Sequence, residues 1–229
     1  MKKFVPVYEG ELRKHSIQVP RCISECSGIR IFGRRIKSLV FSTDVAIIKN
    51  INADAIIAVY PFTPQQIIAD AIVSTSSLPV FCGVGGGTTT GARVVMLAKD
   101  AEAFGAMAVV VNAPTTNDVI AQIADIIDIP IVVTVLDENT DIDARLEAGA
   151  TIFNVSAAAR TPEVVRILRE RYPDLPIIAT GGPSQESIRE TVAAGANAIS
   201  FTPPTAEELF HGLMTRYRNE HESKTKGEA

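Results

Sequence analysis

Four glycines fall within five residues, at Gly83, Gly85, Gly86 and Gly87, and three threonines, Thr88–Thr90, follow at once. Backbone without side chains presents bare N–H groups, and the start of a helix adds its own unbonded amides and a positive dipole end. Together they attract phosphate or carboxylate. Gly181-Gly182, with Ser184 placed to cap a following helix, repeats the pattern more weakly. The alternative for either run is a tight turn that only glycine can make. Groups able to move a proton are Asp44, Tyr60, Asp137 and Glu138. Asp44 follows Ser42-Thr43 and could simply cap a helix, and Asp137 could cap or face solvent. Asn112, Asn154 and Thr180 end otherwise apolar runs. Burying them unpartnered is costly, so a ligand or a mutual network is expected there. Arg160, close behind Asn154, is available as a further clamp on an anion.

These residues need a scaffold that brings strand ends together. Apolar runs of strand length recur at Ser38–Ser42, Ala55–Tyr60, Pro79–Gly83, Met107–Asn112, Ile129–Val135, Thr151–Val155, Leu175–Thr180 and Ala198–Thr202. Between them lie stretches with helical apolar spacing, so the pattern is βα repeated. Eight such units predict a parallel sheet closed into a (β/α)8 TIM barrel. Strands 3, 5 and 7 are entered through Pro79, Pro130 and Pro176, which suit a strand's first residue because proline donates no N–H. Strands 4, 6 and 8 are entered through Gly105-Ala106, Gly149-Ala150 and Gly195-Ala196, where glycine ends the preceding helix. A period of two suits a barrel, whose alternate strands fill alternate interior layers. An open flavodoxin-like sheet is the rival and needs fewer strands. The division expected is an N-terminal basic arm and hairpin over residues 1–37 and the barrel over 38–229. Within the first part, Gly28–Phe41 reads as a hairpin turning near Gly33 with barrel strand 1 as its second half, and the arm is expected to cover the barrel bottom or a neighbour.

Composition narrows the class. Hydrophobic residues make up 46 % and no apolar run is long enough to span a bilayer. The first ten residues lack the apolar stretch of a signal peptide, and the three cysteines are an odd number, so reduced thiols in a cytoplasmic protein are expected. Cys22 and Cys26 have no Cys/His pair nearby to complete a zinc site. The net charge of -4 speaks against nucleic acid. Residues 1–37 hold nine Lys/Arg against three Asp/Glu, so the remainder of the chain is strongly acidic. That asymmetry suggests an arm that docks, and with it a homo-oligomer. No lysine or histidine ends a predicted strand, which removes Schiff-base, Ser–His and His-rich metal chemistry from the mouth. No cofactor is expected, apart from the option of Mg2+ between Asp44 and Asp137.

Leu146–Thr202 resembles the last third of the phosphate-binding, aldolase-type barrels that include the 2-keto-3-deoxy-6-phosphogluconate aldolases. The likeness lies in Glu147-Ala148-Gly149-Ala150, Ile178-Ala179-Thr180-Gly181-Gly182 and Ala193-Ala194-Gly195-Ala196. In that family the strand after the first Gly-Ala carries the Schiff-base lysine; Asn154 stands there in this chain, so the aldolase mechanism does not carry over. The whole chain also resembles a group of bacterial barrel proteins labelled only as hydrolases, on Phe41-Ser42-Thr43-Asp44, the Gly83–Gly87 run and Thr202-Pro203-Pro204. The reading is an enzyme acting on a small anionic metabolite, phosphorylated or not, as hydrolase, isomerase or lyase. Its anion is held by Gly85, Gly86, Gly87, Thr88, Arg160, Gly181 and Gly182, and its chemistry done by Asp44, Asp137, Asn112, Asn154 and Tyr60. The alternative is a non-catalytic binding or sensor protein on the same scaffold.

Overall fold

The computed structural model describes residues 4–8, 10, 16–182 and 184–227, with side chains to residue 219. His15, Pro183 and the His221 side chain lie outside the described residues, as do Lys2, Lys3, Glu9, Glu11, Arg13 and Lys14 of the arm. A short hairpin, β1 (Ile29–Ile31) and β2 (Arg34–Ile36), precedes eight strands that alternate with eight helices. The strands are β3 (Ser38–Phe41), β4 (Ala55–Ala58), β5 (Val80–Gly85), β6 (Ala108–Val111), β7 (Ile131–Val135), β8 (Ile152–Val155), β9 (Ile177–Thr180) and β10 (Ala198–Phe201). The helices between and after them are α1 (Val45–Lys49), α2 (Gln66–Thr75), α3 (Ala92–Ala103), α4 (Asn117–Ala124), α5 (Ile142–Glu147), α6 (Thr161–Arg171), α7 (Gln185–Ala193) and α8 (Ala206–Gly227). All barrel pairings are parallel, and β10 closes on β3. The chain is a (β/α)8 TIM barrel, and the open-sheet alternative falls with that closure.

The alternation of strand entries has a visible cause. Pro79, Pro130 and Pro176 donate nothing, but their carbonyls accept from Ile56, Val109 and Phe153 of the neighbouring strands. Gly105, Gly149 and Gly195 take φ of 95°, 101° and 105°, the left-handed turn that L side chains resist. The next residues, Ala106, Ala150 and Ala196, then donate back to Ala101, Arg145 and Thr191, which closes each helix and starts the next strand.

The barrel interior is filled by Leu39, Ala55, Ile57, Phe81, Ala108, Val110, Val132, Ile152, Ile178 and Ala198. Ile31 and Ile36 of the hairpin join this cluster, so the hairpin stoppers the end of the barrel where the strands begin. Its turn, Phe32-Gly33, has positive φ at both residues, the geometry of a two-residue hairpin turn. One expectation is corrected: the hairpin's second strand is β2, and β3 begins separately after Lys37. The break is made by Asp54, whose Oδ2 accepts from the amides of Lys37 (2.9 Å) and Ser38 (3.0 Å) and from Ser38 Oγ (3.0 Å). Those three bonds turn the chain from the stopper into the barrel wall.

Candidate active site

Two residues beyond the interior cluster, each strand presents its last inward side chain at the mouth. On β7, β8, β9 and β10 these are Thr134, Asn154, Thr180 and Ser200, with Thr134 paired to Asn154 and Ser200 to Thr180. The layer is polar and uncharged, and Asn154 Oδ1 is buried without a partner. Ser200, 5 % exposed, was not among the expected site residues, although its two-residue offset from Ala198 gives it the same inward face. Over β4, β5 and β6 the mouth differs. A cleft of about 200 Å³ opens there, walled by Tyr60, Phe62 and Pro64 on one side and by Gly85, Gly87, Thr88 and Asn112 on the other. That is below the usual range of roughly 300–1,000 Å³ for ligand pockets and suits a small molecule.

The glycine run divides by role. Gly83 and Gly85 belong to β5, which slips register between them, so the open loop begins later than the sequence indicated. A Cβ on Gly83 would sit 2.8 Å from Val59 Cγ2, and one on Gly85 2.6 Å from Val94 Cγ2. Gly86, at φ 98°, is wedged against Asn112 N and the Thr115 hydroxyl, and its amide donates to Thr89 O. These three glycines are thus required by packing. A Cβ on Gly87 would meet nothing within 4 Å, and the amides of Gly87 to Thr90 donate to no acceptor among the described residues. The helix that follows, α3, starts at Gly91 with no side-chain cap, which leaves the Ala92 and Arg93 amides open as well. Beneath the loop, Arg145 of α5 donates to Ala113 O, Thr115 O and Asn117 Oδ1, bracing the segment that supports Gly86.

The second expected anion loop is built otherwise. A Cβ on Gly181 would meet Ile199 and Ile188, and Gly182 at φ 73° lies against Ser187. Ser184 and Ser187 form a reciprocal cap on α7. On β10's side, Thr205 and Glu208 cap each other at the start of α8, so a carboxylate already sits where an anion would go. Pro203 and Pro204 offer no amides there. In the closed order β9 lies four strands from β5, diametrically across the mouth. The two loops therefore stand on opposite sides of the mouth.

The expected acids and clamps are placed as follows. Asp44 caps α1, its Oδ1 accepting from Ala46 (2.8 Å) and Ile47 (3.2 Å). Asp137 Oδ1 accepts from the Asn139 amide at 2.9 Å. The two follow the strands flanking the cleft, β3 and β7, which stand opposite each other in the closed order. Among the described residues no three acids, cysteines or histidines cluster to bind a metal. Tyr60 accepts from the Gln65 amide at 2.8 Å, which orients its ring along the cleft. Arg160 is held by Glu138 (2.7 Å) and Glu163 (3.0 Å) and is half exposed, so its charge is already answered. Glu138's own backbone hydrogen bond, with Arg160, holds its carboxyl below the usual range, and its Oε2 is buried without a partner. The structure thus brings Tyr60, Gly87, Thr88 and Asn112 together; Asp44 and Asp137 bracket them; Asn154, Gly181 and Gly182 stand across the mouth.

No known family profile matches the chain. Over 93 residues it is 28 % identical to the thiamine-phosphate synthase of Oceanobacillus iheyensis, a match spanning 41 % of this chain and 39 % of that protein. Among solved structures, phosphonopyruvate hydrolase in complex with oxalate and Mg2+ superposes with a TM-score of 0.58 at 15 % identity, over 84 % of this chain and 82 % of that one. The phosphoenolpyruvate phosphomutase of Streptomyces platensis subsp. rosaceus gives 0.58 at 15 % identity, over 90 % and 86 %. 2,3-Dimethylmalate lyase, a member of the PEP mutase/isocitrate lyase superfamily, gives 0.57 at 14 %, also over 90 % and 86 %. At these identities the likeness is one of fold. No helix among the described residues is long and apolar enough to cross a membrane.

Proposed function

We propose that the chain is an enzyme acting on a small phosphorylated or carboxylate metabolite at the mouth of its barrel, as a hydrolase, isomerase or lyase that forms no Schiff base. The observation that carries this is the row of unbonded amides from Gly87 to Thr90, continued by the uncapped start of α3, beside a cleft of metabolite size. Backbone amides and a helix N-terminus hold an anion without a cationic side chain. Tyr60 and Phe62 give the cleft an apolar wall beside those amides, which lowers the local dielectric and strengthens that attraction. In this reading Asn112, at the cleft edge, polarises a carbonyl, and Asn154 Oδ1, buried without a partner, accepts from a donor such as a substrate hydroxyl. Asp137 keeps Oδ2 free for proton transfer while Oδ1 is fixed, and Asp44 is its counterpart on the other flank. The fold neighbours are named for small anionic acids, which agrees with this class of substrate. Mg2+ enters the proposal as an ion carried by the substrate's own oxygens, because among the described residues no three acids, cysteines or histidines cluster to hold it.

The test is a thermal-shift screen over phosphorylated and carboxylate metabolites. A ligand at 100 times its Kd adds about 2.7 kcal/mol, or roughly 5–11 °C for a domain of this size. A panel in which no anion raises Tm contradicts the proposal. With a substrate in hand, Asp137→Asn should lower turnover by about 100-fold. One observation favours the binding-protein reading instead: Asp44, Asp137 and Glu138 each already have a fixed partner. Tight binding without turnover of any bound metabolite would establish it.

A further inference from the structure

α8 is longer than the barrel needs. Its 22 residues extend about 33 Å, while the other helices run from 5 to 12 residues. Only Ala206, Leu209 and Leu213 of its described side chains are half-buried, the spacing of one helix face. Beside that face a second row, Phe210, Met214 and Tyr217, is 69 %, 43 % and 57 % exposed. Between α8 and α1 runs an apolar groove of about 480 Å³, lined by Ile17, Ile47, Leu209, Phe210 and Leu213. Ile17 is tied into the groove edge by its amide to Asn50 O (2.7 Å) and by Asn52 N to its carbonyl (3.2 Å).

The chain also carries a segment suited to such a groove. Phe4, Val5, Val7 and Tyr8 are 88 %, 74 %, 79 % and 94 % exposed, so the segment stands clear of its own barrel. Pro6 at its centre fixes its own backbone and keeps Val5 extended, which lowers the entropy lost on docking. Eight residues separate Tyr8 from Ile17, a reach of up to about 30 Å when extended.

We propose that two copies of this chain pair by exchanging N-terminal segments, residues 4–8 of each lying in the α1–α8 groove of the other. In one copy alone both apolar surfaces stay in water; exchange covers both with the same contact made twice, a closed two-fold arrangement. Phe4 and Tyr8 each bring about 150–250 Å² to such a contact, so two copies cover roughly 600–1,000 Å² on these aromatics alone. Counting the groove walls opposite them doubles this and reaches the approximately 1,200–2,000 Å² of a specific interface. Lys2 and Lys3, next to the segment, add an attraction to the acidic remainder of another copy, and Glu208 lines the groove beside Arg216.

Sedimentation equilibrium of the full chain should show a dimer, and removing residues 1–8 should give a monomer with the barrel still folded. Leu213→Glu, within the groove, should do the same through the other half of the contact. Val7→Cys and Met214→Cys variants, mixed and oxidised, should form a disulfide between unlike chains; the native thiols are buried and do not compete. A monomer at all concentrations, a dimer that survives the deletion, or a Val7→Cys/Met214→Cys double variant that links only within one chain would each overturn the exchange.

Discussion

Over β5 four successive amides after the glycine run are unbonded and α3 begins without a side-chain cap; over β9 and β10 side chains already occupy the helix starts, Ser184 accepting from the Ser187 amide, Thr205 from the Glu208 amide and Glu208 from the Thr205 amide. Both regions carry paired glycines and a hydroxyl residue ahead of a helix, so by residue type they look alike. They differ in whether the donors are already used. A glycine supplies an anion site only if its amide is left over after the turn has been made. By that criterion Gly86 and Gly181, whose amides donate to Thr89 and Ser200, serve structure, while Gly87 and the threonines after it keep their amides free for a ligand.

The largest effect expected on either side of this comparison is on folding. Gly86→Val would drive a Cβ into the Thr115 hydroxyl and to 2.7 Å from the Asn112 amide, at φ 98°. Left-handed strain and overpacking together should cost about 2–5 kcal/mol, read as a lower Tm. This substitution therefore cannot separate binding from stability, although the glycine run alone suggests that it would. Gly87→Val can: with open space around it, the barrel should melt unchanged while affinity for the anion found in the screen falls about tenfold or more, measured by calorimetry. On the other region the signs reverse. Ser184→Ala removes a cap and should cost about 1 kcal/mol of stability, with anion affinity unchanged.

The smallest effect is at the rim. Glu138 titrates below its ordinary range in the folded chain, so its contribution to stability is present above the unfolded glutamate pKa, about 4.3, and is lost as pH falls through the lower folded value. The Tm of Glu138→Gln should therefore approach that of the wild type as the pH is lowered through that window. A gap that stays constant with pH would show that the Arg160 pair contributes nothing measurable.

The fold was legible because its signals are local. Proline or glycine at six of the eight strand entries reports a backbone requirement that neighbouring residues cannot mask, as Pro130 and Gly149 show. The hairpin was harder, since Lys37-Ser38 reads as continuous strand and only Asp54, distant in sequence, breaks it. The site was half legible. Residue types picked out Tyr60, Asn112 and the glycine run, which the fold brings together. They could not show that Gly86's amide turns back to Thr89, or that Arg160 is already paired, because both depend on how the chain is placed in space. That the loops after β5 and β9 face each other across the mouth follows from strand order alone, and could have been read from the count of eight.

The central claim is that the start of α3, and not of α7 or α8, receives the anion. The direct measurement is a backbone amide titration by NMR, with inorganic phosphate added to the full chain. Gly87, Thr88, Thr89, Thr90, Ala92 and Arg93 should move first and saturate together, while Gln185, Glu186 and Glu207 stay in place. Shifts that begin at Gly182 and Gln185, with the β5 loop unmoved, would contradict the account.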